Sequence, residues 1–172
     1  SSVLSFITFA VLLLLVSLRA YDVGNDTNEY YRIFDTIKSV QDYSMITDIF
    51  RYESGYILCN YLISQVSDDF TVFLLIVSFF YLYSCHRFIN KYIKNKFLGI
   101  LFFFLFSMYY DLFLVLRQCL AVAVFLFAFD YLVSRNFYMY FILIFLASQF
   151  HNSAVLFSVL YFLPSFQIKS MK

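Results

Sequence analysis

The chain has 172 residues, 63% of them hydrophobic and 13% charged, with a net charge of +1 and a mean hydropathy of +0.79. Soluble domains carry roughly 45–50% apolar and about 25% charged residues, and so short a chain cannot hide the excess in a core. An ordinary water-soluble enzyme is excluded, a bilayer is the expected solvent, and the balanced charge gives no case for a nucleic-acid partner.

In chain order, Val3 to Leu18 is the first apolar run. It lacks the basic start and the small-residue cleavage pattern of a signal peptide and reads as a span. A polar loop, residues 19–69, follows. Within it Asp26-Thr27-Asn28-Glu29 has the form of a capping box, with Asp26 as cap and Glu29 reaching back. Tyr30, Ile33, Phe34 and Ile37 then recur at helical spacing. This predicts an amphipathic helix lying on the outer membrane surface. A second short helix is expected from Glu53-Ser54-Gly55-Tyr56, carrying Ile57, Tyr61 and Leu62 inward.

Phe70 to about Phe88 is the second span, and Arg87 to Lys96 is a basic connector. The apolar stretch Phe97 to Leu132 is too long for one crossing at about 20 residues each and splits near Tyr109–Gln118. Ser134-Arg135-Asn136 makes a polar turn. Phe137–Phe150 and Ala154–Leu163 follow, separated by His151-Asn152-Ser153, and Pro164 ends the last run. The expected fold is an all-α, polytopic transmembrane helix bundle of about six spans, with an external loop carrying amphipathic helices. It forms a single membrane domain over residues 1–172.

Orientation follows from the basic residues. The connector has four (Arg87, Lys91, Lys94, Lys96) and no acid, whereas the 19–69 loop holds nine of the chain's eleven acids against four bases. The connector is therefore placed in the cytoplasm and the loop outside. Alternation puts the Asp111–Gln118 turn and His151 outside, and Arg135, Lys169 and Lys172 inside. Cys59, Cys85 and Cys119 are scattered, with neither a disulfide framework nor metal-ligand spacing, and read as small apolar fillers.

Five features thus project to the external side: Arg19, the Asp22–Thr27 turn, Glu53-Ser54-Gly55-Tyr56, Arg117-Gln118 and His151. Gly24 and Gly55 fall among them, and in a chain with three glycines they mark a positive φ or a close approach. Arg117 stands in the middle of Leu112–Phe129, an otherwise apolar helix. It either snorkels to headgroups or, together with Arg19, meets an anion such as a phosphate or diphosphate. His151 is either a structural helix-end histidine or an acid–base group. Asp26 is explained as a cap. Glu53 has no cap pattern to account for it, and could position arginines or accept a proton. No P-loop, GxSxG, GxGxxG or HExxH pattern is present, so no metal and no cofactor is expected.

The ordered segments Leu18-Arg19, Val23-Gly24-Asn25-Asp26-Thr27, Tyr30, Tyr52-Glu53-Ser54-Gly55-Tyr56, Leu116-Arg117-Gln118-Cys119-Leu120-Ala121 and Ala147-Ser148-Gln149-Phe150-His151-Asn152-Ser153-Ala154 resemble the EpsG family of exopolysaccharide polymerases, relatives of the Wzy-type O-antigen polymerases. The resemblance covers most of the chain. Asn25 departs mildly from the family's turn, and family members continue beyond the His151 helix, so the chain is expected to be the N-terminal part of a longer protein. The resemblance implies a multi-pass glycosyltransferase of the cytoplasmic (inner) membrane, its active face external or periplasmic. It would join polyprenyl-diphosphate-linked oligosaccharide units into an exopolysaccharide, capsule or O-antigen chain, alongside other polysaccharide-assembly proteins. It further implies that Arg19 and Arg117, with Gln118 and Tyr30, bind substrate, and that His151, Glu53 or Asp26 handles the acceptor hydroxyl. The alternatives are a transporter or flippase for a lipid-linked or anionic solute, and a non-catalytic membrane subunit.

Overall fold

The computed structural model describes residues 2–40 and 43–163. Pro164, Lys169 and Lys172, which the sequence places at and beyond the last run, lie outside the described residues. Among those described, every regular element is a helix: α1 (Ser2–Ser17), α2 (Thr27–Ser39), α3 (Tyr43–Ile49), α4 (Ser54–Ser64), α5 (Phe70–Tyr92), α6 (Lys96–Leu105), α7 (Asp111–Leu114), α8 (Leu116–Val133), α9 (Phe137–Ser148) and a closing 3-10 helix (Asn152–Phe162).

Two of these, α5 with 23 residues and α8 with 18, are long and apolar enough to cross a membrane. Helix α6 has 10 residues and α9 has 12, or about 15 and 18 Å at 1.5 Å per residue, against a hydrocarbon core about 30 Å thick. Of the spans expected, most are therefore interrupted or short. Three breaks fall where the sequence has polar or turn residues, after Leu105, at Ser134–Asn136 and at Gln149–His151; the fourth, at Val115, falls between two leucines. The connector at Arg87 is not a loop, because α5 runs on through it to Tyr92.

Three starts are capped by side chains that the hydrophobic pattern did not flag. Asp69 accepts from the Thr71 amide at 2.8 Å, Asn95 from Leu98 at 3.2 Å and Asn136 from Met139 at 3.2 Å. The expected capping box at α2 does not form. Asp26 makes no side-chain cap bond, and Glu29 accepts instead from the Tyr52 hydroxyl. Two helices close in the manner normally supplied by glycine. After α6, Met108 N donates to Phe103 O and Ser107 N to Phe104 O; after α8, Asn136 N donates to Tyr131 O and Arg135 N to Leu132 O. The pivots Ser107 and Arg135 take φ of 59° and 54°, left-handed values that cost an L-residue roughly 1–2 kcal/mol.

Helix α5 is the central element, packing against α1, α8, α4, α6 and α2. The apolar face of α2 is where the periodicity put it, with Tyr30, Ile33, Phe34 and Ile37 all buried. It faces protein and not lipid, because Phe34 packs on Phe70 and Phe73 at 5.7 and 5.6 Å. In α4, Ile57 is buried as expected, but Leu62 is 56% exposed; Asn60 and Ile63 take the inner face with Tyr56. The outward faces of α1, α5 and α9 are apolar, including Leu15, Phe79 and Phe145, surfaces of a kind that lipid solvates and water does not. Cys85 and Cys119 are buried in the core between α5 and α8.

At the far end of α5 and α8, Asp130 accepts from Arg87 and from the Tyr92 hydroxyl (2.5 Å) and pairs with Lys91 at 2.9 Å. The basic residues of the connector therefore do have an acid among them, supplied by the neighbouring helix.

Replacing the exposed pivot Ser107 by glycine removes the left-handed penalty without deleting a packed side chain. Ser107→Gly is expected to stabilise the fold by about 1 kcal/mol, read as a raised unfolding midpoint in detergent. An unchanged or lowered midpoint would count against this account of the α6 end.

Candidate functional site

Glu53 sits at the start of α4 in extended backbone (φ −61°, ψ 136°) and makes no side-chain bond to its own helix. Its carboxylate is used between segments. Oε2 accepts from Arg117 Nη1 at 2.6 Å and Oε1 accepts from the Asn152 amide at 3.1 Å. His151 Nδ1 stands 3.5 Å from the same Oε1, an ion pair when the imidazole is protonated. The Glu53 side chain is only 9% exposed. Burial by itself would raise its carboxyl, but the backbone amides and Arg117 outweigh that and hold it below its usual range.

Three helix starts converge here. Glu53 precedes α4, Arg117 is the second residue of α8, and His151 precedes the 3-10 helix. Of the amides that such starts leave without an intrahelical partner, that of Asn152 donates to the Glu53 carboxylate. Arg117 is thus not in the middle of a continuous helix. Val115 (φ −133°, ψ 58°) separates α7 from α8 and leaves the arginine at a helix terminus.

Aromatic rings hold the guanidinium from the side. Its carbon lies 4.6 Å from the Tyr52 ring centroid and 6.0 Å from that of Tyr56, and it also interacts with Tyr30. Tyr52 is fixed in turn by its bond to Glu29, which pushes the phenol up to about 12. The start of α4 is docked onto the end of α9: Tyr56 N donates to Gln149 O at 3.1 Å and Ser54 Oγ to Gln149 Oε1 at 2.7 Å. Gly55 makes this approach possible, since a Cβ there would lie 2.7 Å from the Gln149 carbonyl oxygen. The result is a polar cleft of about 350 Å³ lined by Arg51, Tyr52, Glu53, Ser54, Arg117, Ser148, Gln149 and Asn152.

Of the candidate residues, the structure brings together Glu53, Arg117, His151 and Tyr30. Gln118 is exposed and does not line the cleft. Asp26 does not line the cleft, and its carbonyl accepts from the Tyr30 amide. Arg19 is 8% exposed and bonded to the Leu112 carbonyl at 2.8 Å and the Val16 carbonyl at 3.3 Å, with its guanidinium over Phe113. Burial pulls it down to about 10. Glu53 is therefore paired with Arg117, while Arg19 is bonded elsewhere. Sequence reasoning assigned no role to Tyr52, Ser54, Gln149 or the Asn152 amide. All four fall inside the segments that carry the family resemblance, Tyr52 and Ser54 beside Glu53 and Gln149 and Asn152 close to His151, and that was the sequence signal for them.

Because its carboxyl is held low, Glu53 adds stability that is fully present above its usual value of 4.5 and is lost as pH falls through its folded value. Glu53→Gln is expected to be less stable than the native chain at neutral pH, with the difference closing under acid. A pH-independent gap would remove the charge pair as its cause. Gly55→Ala is expected to separate α4 from Gln149 and cost about 1–3 kcal/mol, measured by the same unfolding assay.

No curated protein and no solved structure matches the chain. A family model does match it over residues 2–172, essentially end to end, and the chain therefore belongs to the EpsG family, a family of exopolysaccharide-polymerase type.

Proposed function

We propose that this protein is a membrane glycosyltransferase joining polyprenyl-diphosphate-linked oligosaccharide units at the external face of the cytoplasmic membrane. The observation that carries the proposal is the Arg117–Glu53–His151 group beside a polar cleft, in which Glu53 meets two residues 64 and more positions further along the chain. Arg117 presents a fork of donors at the start of α8, suited to a diphosphate. Beside it runs an apolar groove of about 450 Å³ whose lining includes Cys59, Phe80, Leu120 and Phe150. Phe150 adjoins His151 and Leu120 lies about one turn beyond Arg117, so a lipid tail in that groove would leave its diphosphate at the cleft.

In the proposed reaction the acceptor hydroxyl oxygen bonds to the donor's anomeric carbon. The bond from that carbon to the diphosphate oxygen breaks, and the lipid diphosphate leaves with the electron pair. Arg117 and the first amides of α8 stabilise the charge that develops on it. With Nδ1 turned to Glu53, the His151 imidazole has Nε2 available to take the hydroxyl proton, while Glu53 orients both the imidazole and Arg117. A donor already activated as a diphosphate supplies the driving force without a nucleotide.

The test is transfer by the purified chain in lipid nanodiscs, using a polyprenyl-diphosphate oligosaccharide. Arg117→Ala is expected to lower turnover by about 100-fold or more and Arg117→Lys to restore part of it, because lysine keeps the charge and loses the fork. His151→Ala is expected to cost about 100-fold. Native-like polymer from Arg117→Ala would sink the proposal, and uptake of substrate without a polymer product would point to transport.

A further inference from the structure

The turn between α1 and α2 is bound to one place on the chain. Val115 breaks the helix between α7 and α8. In an uninterrupted helix the carbonyls of Leu112 and Phe113 would accept from the amides of Leu116 and Arg117. Here the turn supplies a side chain to each: Arg19 Nη1 donates to Leu112 O at 2.8 Å and Thr27 Oγ1 to Phe113 O at 3.4 Å. Gly24 closes over the same spot. Its φ is +100°, and a Cβ on it would lie 1.9 Å from Phe113 O and 2.8 Å from Thr27 Oγ1. Arg19 also covers the Phe113 ring, 4.9 Å from its centroid. Thr27 and Leu112 are fully buried and Arg19 nearly so, so water is a poor substitute partner for these carbonyls.

We propose that Arg19, Gly24 and Thr27 are positioning residues. They clamp the two carbonyls at the α7–α8 break and so set where α8 begins and how Arg117 meets Glu53. The clamp rests on the proposed function only in making Arg117 the residue that meets the donor; its geometry stands without that reading. It gives a reason for the glycine and threonine of the turn that a diphosphate ligand role for Arg19 does not. With Nη1 committed to Leu112 O and the guanidinium packed on Phe113, Arg19 acts through the backbone that carries Arg117.

Amide hydrogen exchange on the full chain in nanodiscs, with no substrate added, separates the two roles. Cys119 N donates to Val115 O at 3.0 Å, the first bond of α8 after the break. Arg19→Ala and Thr27→Val are expected to speed exchange at Cys119 and the next turn by about tenfold or more, leaving central α5 unchanged. Thr27→Ser, which keeps the hydroxyl, is expected to exchange like the native chain. In the transfer assay Thr27→Val is expected to raise the donor KM several-fold, with Thr27→Ser restoring it. Unchanged exchange at Cys119 in both Arg19→Ala and Thr27→Val would overturn the clamp, and lost activity in Arg19→Ala with native exchange would make Arg19 a ligand instead. If the exchange result holds while the native chain shows no transfer, the clamp stands and the proposed function falls.

Discussion

Everything informative about this structure depends on one carboxylate having three users. Glu53 is shared by the Arg117 guanidinium, the Asn152 amide and the His151 imidazole, the first from the start of α8 and the other two from the start of the 3-10 helix. An arginine among apolar helices is costly unless it is paired. A half-buried pair loses a few kcal/mol when one partner is removed, because the other charge is left uncompensated. That constraint ties the loop before α4, the broken start of α8 and the turn after α9 to one point. No apolar contact in the bundle is as directional.

The same constraint is met again at the other end of α8. Asp130, 13 residues beyond Arg117 in sequence and so about 20 Å along the helix axis, is matched to Arg87, Lys91 and Tyr92. An apolar helix therefore carries a satisfied charge at each end, with its middle packed against α5 and α9. Lys96 does related work where α5 stops, its ammonium reaching the carbonyls of Asn90 at 2.6 Å and Ile93 at 2.7 Å. Three of the four basic residues that looked like a loop charge, Arg87, Lys91 and Lys96, are spent on a helix end and on one acid.

Close approach is handled with very few glycines. Gly24 and Gly55 both sit where a Cβ would run into another segment's backbone, Phe113 and Gln149 respectively. Each therefore lets a polar segment touch the chain beside a candidate residue. Where close approach is not needed, the left-handed helix ends go to Ser107 and Arg135 instead. Arg135 recovers part of that cost through its side chain, which donates to Tyr161 O and to Leu163 O at 2.9 Å.

By itself the sequence determined that the chain is helical and apolar, where the polar breaks fall and which face of α2 is buried, and it singled out Gly24, Gly55, Glu53, Arg117 and His151. These follow from composition, from the helical period and from the cost of a charge in an apolar run, all of which are local. The tertiary structure decided the partners. Glu29 abandoned the capping box because Tyr52 is a nearer donor. The apolar face of α2 met Phe70 and Phe73 and not lipid. Arg19 meets the Leu112 carbonyl and does not join Arg117, because the break at Val115 exposed an acceptor that no periodicity reports. A hydrophobic pattern records how much a segment must be buried. Which polar atoms satisfy each other is set by packing between residues 64 to 99 positions apart, and no local window contains both partners.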